Sequence, residues 1–128
     1  MPISITPIYA VLLTVIYIIL FMRVVVERRA NRFAYGDNNS PRVHAKIRAS
    51  ANWSEHVPIT LILFLLVEVQ GAPAVLLHGF GMSLVIARGL HGYSMSFAPK
   101  TIRLRVWGMS IHFLIMVALL ITLAANWF

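Results

Sequence analysis

The stretch RVHAKIRASANWSEHVP, residues 42–58, leads directly into the apolar run ITLILFLLV, residues 59–67, and the two together decide the fold. On a helix that turns by about 100° per residue, Arg48, Asn52 and Glu55 fall within roughly 60° of one another. Ionisable groups are costly at the edge of a membrane span, so this face indicates a functional site. The alternative is a solvated helix end, or an Arg–Glu pair that only neutralises itself.

The composition of the 128-residue chain is typical of a membrane protein. Hydrophobic residues make up 59% and charged residues 12%, with a mean hydropathy of +0.81. A soluble domain is about half apolar and about a quarter charged. Since a membrane-spanning helix needs about 20 residues, four segments fit, at about residues 2–30, 41–69, 74–93 and 102–127. The sequence therefore predicts an all-α fold, an integral membrane four-helix bundle that forms one domain over residues 1–128.

The first segment is expected to stay in the protein as a membrane helix. A secretory signal peptide has basic residues before its apolar run and a small-residue cleavage site after it. Here neither feature is found, and the basic cluster at Arg23, Arg28 and Arg29 follows the apolar run.

The distribution of charge predicts the orientation. The formal net charge is +7, which in a soluble protein would suggest nucleic acid as a partner. Here the basic residues flank two loops, at residues 31–41 and 94–101, and none lies in the turn at residues 70–73. The positive-inside rule places both loops in the cytosol and both termini outside. We expect membrane lipids, and no nucleic acid, as partners, because cations beside a span contact anionic headgroups.

Cations from all four helices are predicted to meet near the cytosolic side, where acidic residues are scarce. An unpaired buried cation is costly, so an anion should join them. Lipid phosphate accounts for the exposed ones. Arg48 and Arg88, next to long apolar runs, are better explained by an anionic ligand between helices, since a guanidinium binds a carboxylate through two hydrogen bonds.

Other chemistries receive little support from the sequence. The chain has no cysteine, which excludes disulfides, thiolate metal sites and a protein thiol nucleophile; any thiol must come with the substrate. We find no nucleotide loop, catalytic triad or zinc motif, and we expect no metal. His78 and His112, deep in the third and fourth segments, are expected to hydrogen-bond neighbouring helices.

Two motifs resemble the MAPEG family, the membrane-associated proteins in eicosanoid and glutathione metabolism. RAxxNxxExxP at residues 48–58 is similar to the family's Arg-Ala-x-x-Asn-x-x-Glu signature, and ARxxH at residues 87–91 resembles a segment of the third helix in several members. The resemblance extends to the length, the four spans and the placement of the loops. The short chain and the Tyr-Gly-Asp loop at residues 35–37 look most like the small bacterial members.

The resemblance implies a homotrimer that binds glutathione as co-substrate between neighbouring subunits. It also implies a multi-pass protein of the bacterial inner membrane, with the basic loops and the active site facing the cytoplasm. The residues that would bind glutathione are Arg48, Asn52, Glu55, His56, Arg88, His91, Tyr93, and Arg23 or Arg28.

The activity that the resemblance implies is that of a glutathione transferase or peroxidase. An arginine early in the fourth helix, Arg105 or Arg103, would stabilise the glutathione thiolate. A thiol with a pKa of about 8.5 is mostly protonated at neutral pH, and a nearby guanidinium favours its ionised form. The thiolate would then attack a lipophilic electrophile or a lipid hydroperoxide dissolved in the bilayer.

Two positions depart from the pattern of active members and keep other functions open. Met95 stands near the place of a tyrosine of the third helix, and Ala51 replaces a basic residue before the asparagine. These departures favour a non-catalytic MAPEG-like protein that binds glutathione or an anionic lipid. A small transporter or channel built on the charges within the membrane is the third possibility, which the absence of a broken helix pair or inverted repeat disfavours.

Overall fold

The computed structural model describes residues 3–98 and 100–125, and this part of the chain forms four helices without any strand. Each is long and apolar enough to cross a membrane. The all-α class and the four spanning helices are therefore confirmed. Two predicted helix ends, Pro2 and Trp127, lie outside the described residues. The helices are α1 (Thr6–Ala30), α2 (Pro41–Val69), α3 (Ala74–Ser96) and α4 (Ile102–Ala125).

The first helix begins later than the predicted start at about residue 2. The backbone N–H groups of Ser4, Ile5 and Thr6 donate to the carboxylate of Glu68, at 2.8, 2.7 and 2.7 Å. The first N–H groups of a helix have no partner within the helix, and a carboxylate is favourable at this positive end of its dipole. The end of α2 thus caps the start of α1.

The third helix runs three residues beyond its predicted end at about Tyr93. Its last turn is held from both sides: the ring of Tyr93 stacks on that of Phe97, with centroids 5.7 Å apart. The hydroxyl of Ser94 donates to the carbonyl of Thr101 at 2.7 Å. These contacts join the end of α3 to the start of α4, and no sequence pattern local to α3 predicts them.

The loop before α2 is ordered by short polar contacts. Ser40 caps α2, and its hydroxyl oxygen accepts from the N–H of Val43 at 3.4 Å. The carboxylate of Asp37 accepts from the ring of His44 at 2.8 Å and from the N–H of Asn39 at 3.0 Å. These hydrogen bonds, that of His44 foremost, hold the pKa of Asp37 below its usual range.

Polar side chains of α3 and α4 hydrogen-bond to neighbouring helices, as the sequence predicts. His78 lies 2.9 Å from the hydroxyl of Tyr9, and the Nε2 atom of His112 lies 3.1 Å from the hydroxyl of Thr60. The backbones of α3 and α4 lie in contact at Gly108. A Cβ atom at this position would lie only 2.7 Å from the carbonyl oxygen of Ala87, so no larger residue fits there. This close contact fixes the start of α4 against the end of α3.

Candidate functional site

A cleft of about 420 Å³ opens between α2, α3 and α4, at the end of the bundle that carries the basic loops; we call it the main cleft. One side of it is polar and the other is apolar. Its lining residues are Arg48, Asn52, His91, Met95, Arg105, Val106, Met109, Ser110 and Phe113.

Arg88 lies directly behind the wall of the main cleft. It is only 1% exposed, and its guanidinium donates to Asn52 Oδ1 at 3.0 Å and to the sulfur of Met109 at 3.3 Å. Its Nε atom has no hydrogen-bond partner in the part of the chain that the structure describes. A buried arginine is rarely left without a carboxylate, so this cation is held only by a neutral amide and a thioether.

Arg48 and Glu55 pair with each other across two turns of α2. Their guanidinium and carboxylate groups are 3.3 and 3.4 Å apart, and both side chains are partly exposed. This is the self-neutralising pair that the sequence left open as an alternative. Because the pair is exposed, separating it costs little, and both groups remain accessible to a ligand.

Of the two arginines at the start of α4, only Arg105 lines the main cleft. Its Nη1 atom donates to the sulfur of Met95 at 3.5 Å. Arg103 is exposed and lies outside the cleft, because two residues along a helix correspond to a rotation of about 200°. The geometry therefore favours Arg105 over Arg103 for any chemistry in the cleft.

Of the two histidines that the sequence predicts in the glutathione site, His91 lines the main cleft and His56 does not. His91 lines the main cleft, is buried, and its Nδ1 atom has no partner among residues 3–98 and 100–125. The Nδ1–H of His56 donates to the carbonyl of Asn52 at 2.9 Å. Its ring is perpendicular to that of Phe113, with the two centroids 5.6 Å apart. Only His91 can touch a ligand in the cleft of this chain.

Three further predicted site residues lie away from the main cleft. Arg23 donates to the hydroxyl and carbonyl of Ser96 at 2.8 and 2.9 Å and lies 3.6 Å from the ring centroid of Phe97. Tyr93 is exposed and stacks on the same ring. Arg28 donates to the carbonyl of Gly36 at 3.2 and 3.3 Å. Within one chain these residues hold the loops.

All four acidic residues of the chain are engaged. Glu27 pairs with Lys46 and with Arg42; Asp37 with His44; Glu55 with Arg48; and Glu68 with the start of α1. Arg88 and Arg105 therefore have no carboxylate partner among the described residues.

The sequence missed the apolar half of the site. Met109 and Phe113 follow Arg105 at intervals of four residues, so all three share one face of α4, and Met95 follows His91 at the same interval on α3. This four-residue spacing is the sequence pattern that could have indicated an apolar wall beside Arg105 and His91. It is weak by itself, because any helix in a bundle carries such a stripe.

A second cleft, of about 400 Å³, adjoins the first on the side of the loop before α2. It shares Arg48, Met95 and Arg105 with the main cleft and adds Pro41 and His44. Because the two clefts share these three lining residues, a ligand with several charged groups could extend from one to the other.

The amino-acid sequence is similar to those of known proteins over nearly its whole length. The MAPEG family model matches residues 6–125. The inner membrane protein YecN of Escherichia coli strain K12 is 32% identical over 124 residues, which are 97% of this chain and 92% of that protein. YecN of Escherichia coli O6:H1, strain CFT073, is similar to the same extent.

Proposed function

Because this chain belongs to the MAPEG family, we propose that it is a membrane-bound glutathione transferase or peroxidase. The resemblance recognised in the sequence is confirmed by the family match, whereas the activity is our proposal. One observation carries it: Arg88 and Arg105 lie at one cleft and have no carboxylate partner among the described residues. Arg88 is buried, so its lack of a counter-charge is costly and favours an anionic ligand near it, and the exposed Arg105 adds a second cation at the same cleft.

Glutathione has the complementary charges. It carries two carboxylates, one ammonium group and a thiol. Arg48 would bind a carboxylate and Glu55, which pairs with Arg48 but does not itself line the main cleft, would bind the ammonium group once their exposed pair separates. Asn52 and His91 line the main cleft together with Arg48 and Arg105. The fit uses both charges of the pair, which a simple anion such as phosphate would not.

Arg105 would favour the thiolate. Each unit by which a neighbouring cation lowers a thiol pKa corresponds to about 1.4 kcal/mol, and a thiol of pKa about 8.5 needs one or two units to become mostly ionised at neutral pH. The Nη1 atom of Arg105 contacts a soft sulfur, that of Met95. A thiolate would be a far stronger acceptor at that atom.

The apolar side of the cleft would receive the second substrate. Val106, Met109 and Phe113 line it, and they lie on a helix long and apolar enough to cross the membrane. A lipophilic electrophile could therefore reach the thiolate from the bilayer. In a transfer the thiolate would bond to its electrophilic carbon; in a peroxidase reaction it would attack the outer oxygen of a hydroperoxide.

We further propose a homotrimer in the bacterial inner membrane, with the basic loops and the main cleft facing the cytoplasm. The location is supported by the similarity to a protein named as an inner membrane protein, and the orientation by the basic loops. The cleft opens on the surface of the single chain, so a neighbouring subunit would close it.

The first experiment is a titration of the detergent-purified protein with glutathione, in which ultraviolet absorbance reports the thiolate. We expect saturable thiolate formation at neutral pH. Arg105→Leu should lower thiolate formation by about 100-fold while binding persists, and Arg103→Leu, the matched control on the other face of α4, should behave as the wild type. Absence of binding at millimolar glutathione would show that the proposal is wrong.

A second candidate function is supported by the contact between Arg105 and the sulfur of Met95. If that contact persists when ligand binds, Arg105 is not free for a thiolate, and the protein binds glutathione without activating it. The same titration separates the two functions, because binding measured by calorimetry without a thiolate signal would identify the non-catalytic binder.

A further inference from the structure

Arg105, which lines the main cleft, and Arg88, which lies behind its wall, both contact methionine sulfur. The Nη1 atom of Arg105 lies 3.5 Å from the sulfur of Met95, and that of Arg88 lies 3.3 Å from the sulfur of Met109. Both methionines line the main cleft. A thioether is a weak acceptor, so neither contact neutralises its cation. Each sulfur therefore sits in a cleft next to a strong N–H donor.

We propose that Met95 and Met109 are sites of oxidation by organic hydroperoxides, and that their sulfoxides close the main cleft to anions. The sulfide attacks the outer oxygen of the hydroperoxide, the O–O bond breaks and an S=O bond forms. Sulfur is oxidised by two electrons and the hydroperoxide is reduced to its alcohol. The hydroxyl proton of the hydroperoxide ends on the departing alkoxide oxygen.

The neighbouring guanidinium groups make these two sulfurs different from other methionines. Negative charge develops on the departing oxygen as the O–O bond breaks, and an N–H group held beside the sulfur can donate to it. The apolar residues Val106 and Phe113 line the same cleft, so a hydroperoxide with an apolar body fits beside the sulfurs. A small polar oxidant such as hydrogen peroxide would bury no apolar surface against these residues.

Oxidation would change what the two arginines can bind. A sulfoxide oxygen is a much better acceptor than a thioether sulfur, and hydrogen bonds to a charged donor are the stronger ones. Arg105 and Arg88 would then be occupied by the protein's own side chains. This consequence, a lower affinity for glutathione, rests on the proposed function; the assignment of the oxidation sites does not.

Met22 and Met82 are matched internal controls. Both are exposed, whereas Met95 and Met109 are partly buried, and neither control accepts a hydrogen bond from a guanidinium among the described residues. If exposure alone decided the rate, the two controls would be oxidised first. The proposal predicts the opposite order.

The test exposes the full-length protein, in detergent and without glutathione, to limiting cumene hydroperoxide and maps sulfoxides by mass spectrometry of peptides. We expect Met95 and Met109 to be oxidised about tenfold faster than Met22 and Met82. Arg105→Leu should slow Met95 to the rate of the controls and leave Met109 fast. Oxidation in order of exposure, or an unchanged rate at Met95 in Arg105→Leu, would overturn the assignment.

A second measurement tests closure of the cleft. Glutathione affinity is compared before and after oxidation, in the wild type and in the double variant Met95→Leu/Met109→Leu, which conserves volume. The wild type should lose about tenfold on oxidation, while the ratio in the double variant should stay near one. An unchanged affinity in the oxidised wild type would disprove closure. If the untreated wild type binds no glutathione, the proposed function fails, and the peptide map still decides the oxidation sites.

Discussion

Two buried cations of this molecule, Lys46 and Arg88, differ in whether a carboxylate pairs with them. Where α1 and α2 approach each other, Glu27 pairs with Lys46 and with Arg42, and the Lys46 side chain is only 6% exposed. Behind the main cleft Arg88 is as deeply buried, but within residues 3–98 and 100–125 its guanidinium donates hydrogen bonds only to an amide oxygen and a sulfur. Burial of a charge therefore does not reveal its role. For these two buried cations, the carboxylate beside Lys46 favours a structural role, and the lack of one beside Arg88 in this part of the chain favours the ligand that we propose.

The largest effect should come from removing the unpaired cation. Arg88→Met keeps much of the volume and removes a buried charge that lacks a carboxylate partner among the described residues. We expect glutathione affinity to fall by about 100-fold, since a desolvated charge is lost from the site. Thermal stability in detergent should hold or rise, because replacing a buried charge by an apolar group is often neutral or stabilising.

In Arg88→Met, glutathione affinity should therefore fall while thermal stability is kept or increased. Calorimetric titration gives the affinity, and unfolding in detergent gives the stability. A variant that lost both together would show that Arg88 holds the bundle, and the distinction between the two charge groups would fail.

Breaking the α1–α2 ion pair should give the reverse pattern. Lys46→Met leaves Glu27 without its buried partner, and we expect a loss of about 2 kcal/mol in unfolding free energy. That is less than for a deeply buried pair, because Arg42 remains beside Glu27 at 3.5 Å. Glutathione affinity should be unchanged.

Arg42→Met provides the control for this pair. Its side chain is 75% exposed, and pairs of that kind contribute little to stability. Equal losses in Lys46→Met and Arg42→Met would mean that burial does not matter here.

A third, smaller effect is expected at the other end of the bundle. Glu68→Gln keeps the shape of the cap on α1 but loses its charge and one acceptor oxygen. We expect a loss of about 1 kcal/mol, measured by unfolding in detergent. Hydrogen exchange should rise at Ser4, Ile5 and Thr6, whose N–H groups now donate to Glu68. Unaltered exchange at these three positions would argue against the cap.

The sequence predicted the parts of this molecule that depend on local patterns. Apolar runs show where the helices lie, and spacing places Arg48, Asn52 and Glu55 on one face of α2. The hydrogen bonds of His78 and His112 to other helices were also predicted, since a polar group in an apolar span needs a partner.

Long-range pairing could not be read from the sequence. Glu68 caps residues more than sixty positions away, and Lys46 pairs with Glu27 of the preceding helix. Arg23 and Arg48 look alike in sequence, as single arginines beside apolar runs. Only the structure shows that Arg23 fastens the end of α3 while Arg48 lines the cleft.

The smallest effect concerns Asp37, the remaining acidic residue, which lies in the loop before α2. Hydrogen bonds from His44 and from the N–H of Asn39 lower the pKa of Asp37. Because the folded-state pKa is below the unfolded value of about 3.9, the stabilising contribution is present above that value and is lost as the pH falls through the folded pKa.

His44→Ala tests this pair, because it removes the first of the two donors. The pKa of Asp37, followed by NMR through its carboxyl carbon, should rise toward the usual value, while Asn39→Ala, which keeps its backbone N–H, should leave it nearly unchanged. Identical titration of Asp37 in the wild type and in His44→Ala would show that the 2.8 Å contact carries no charge interaction. Thiolate formation at neutral pH should be the same in all three proteins, because Asp37 belongs to the paired charges and the main cleft depends on the unpaired ones.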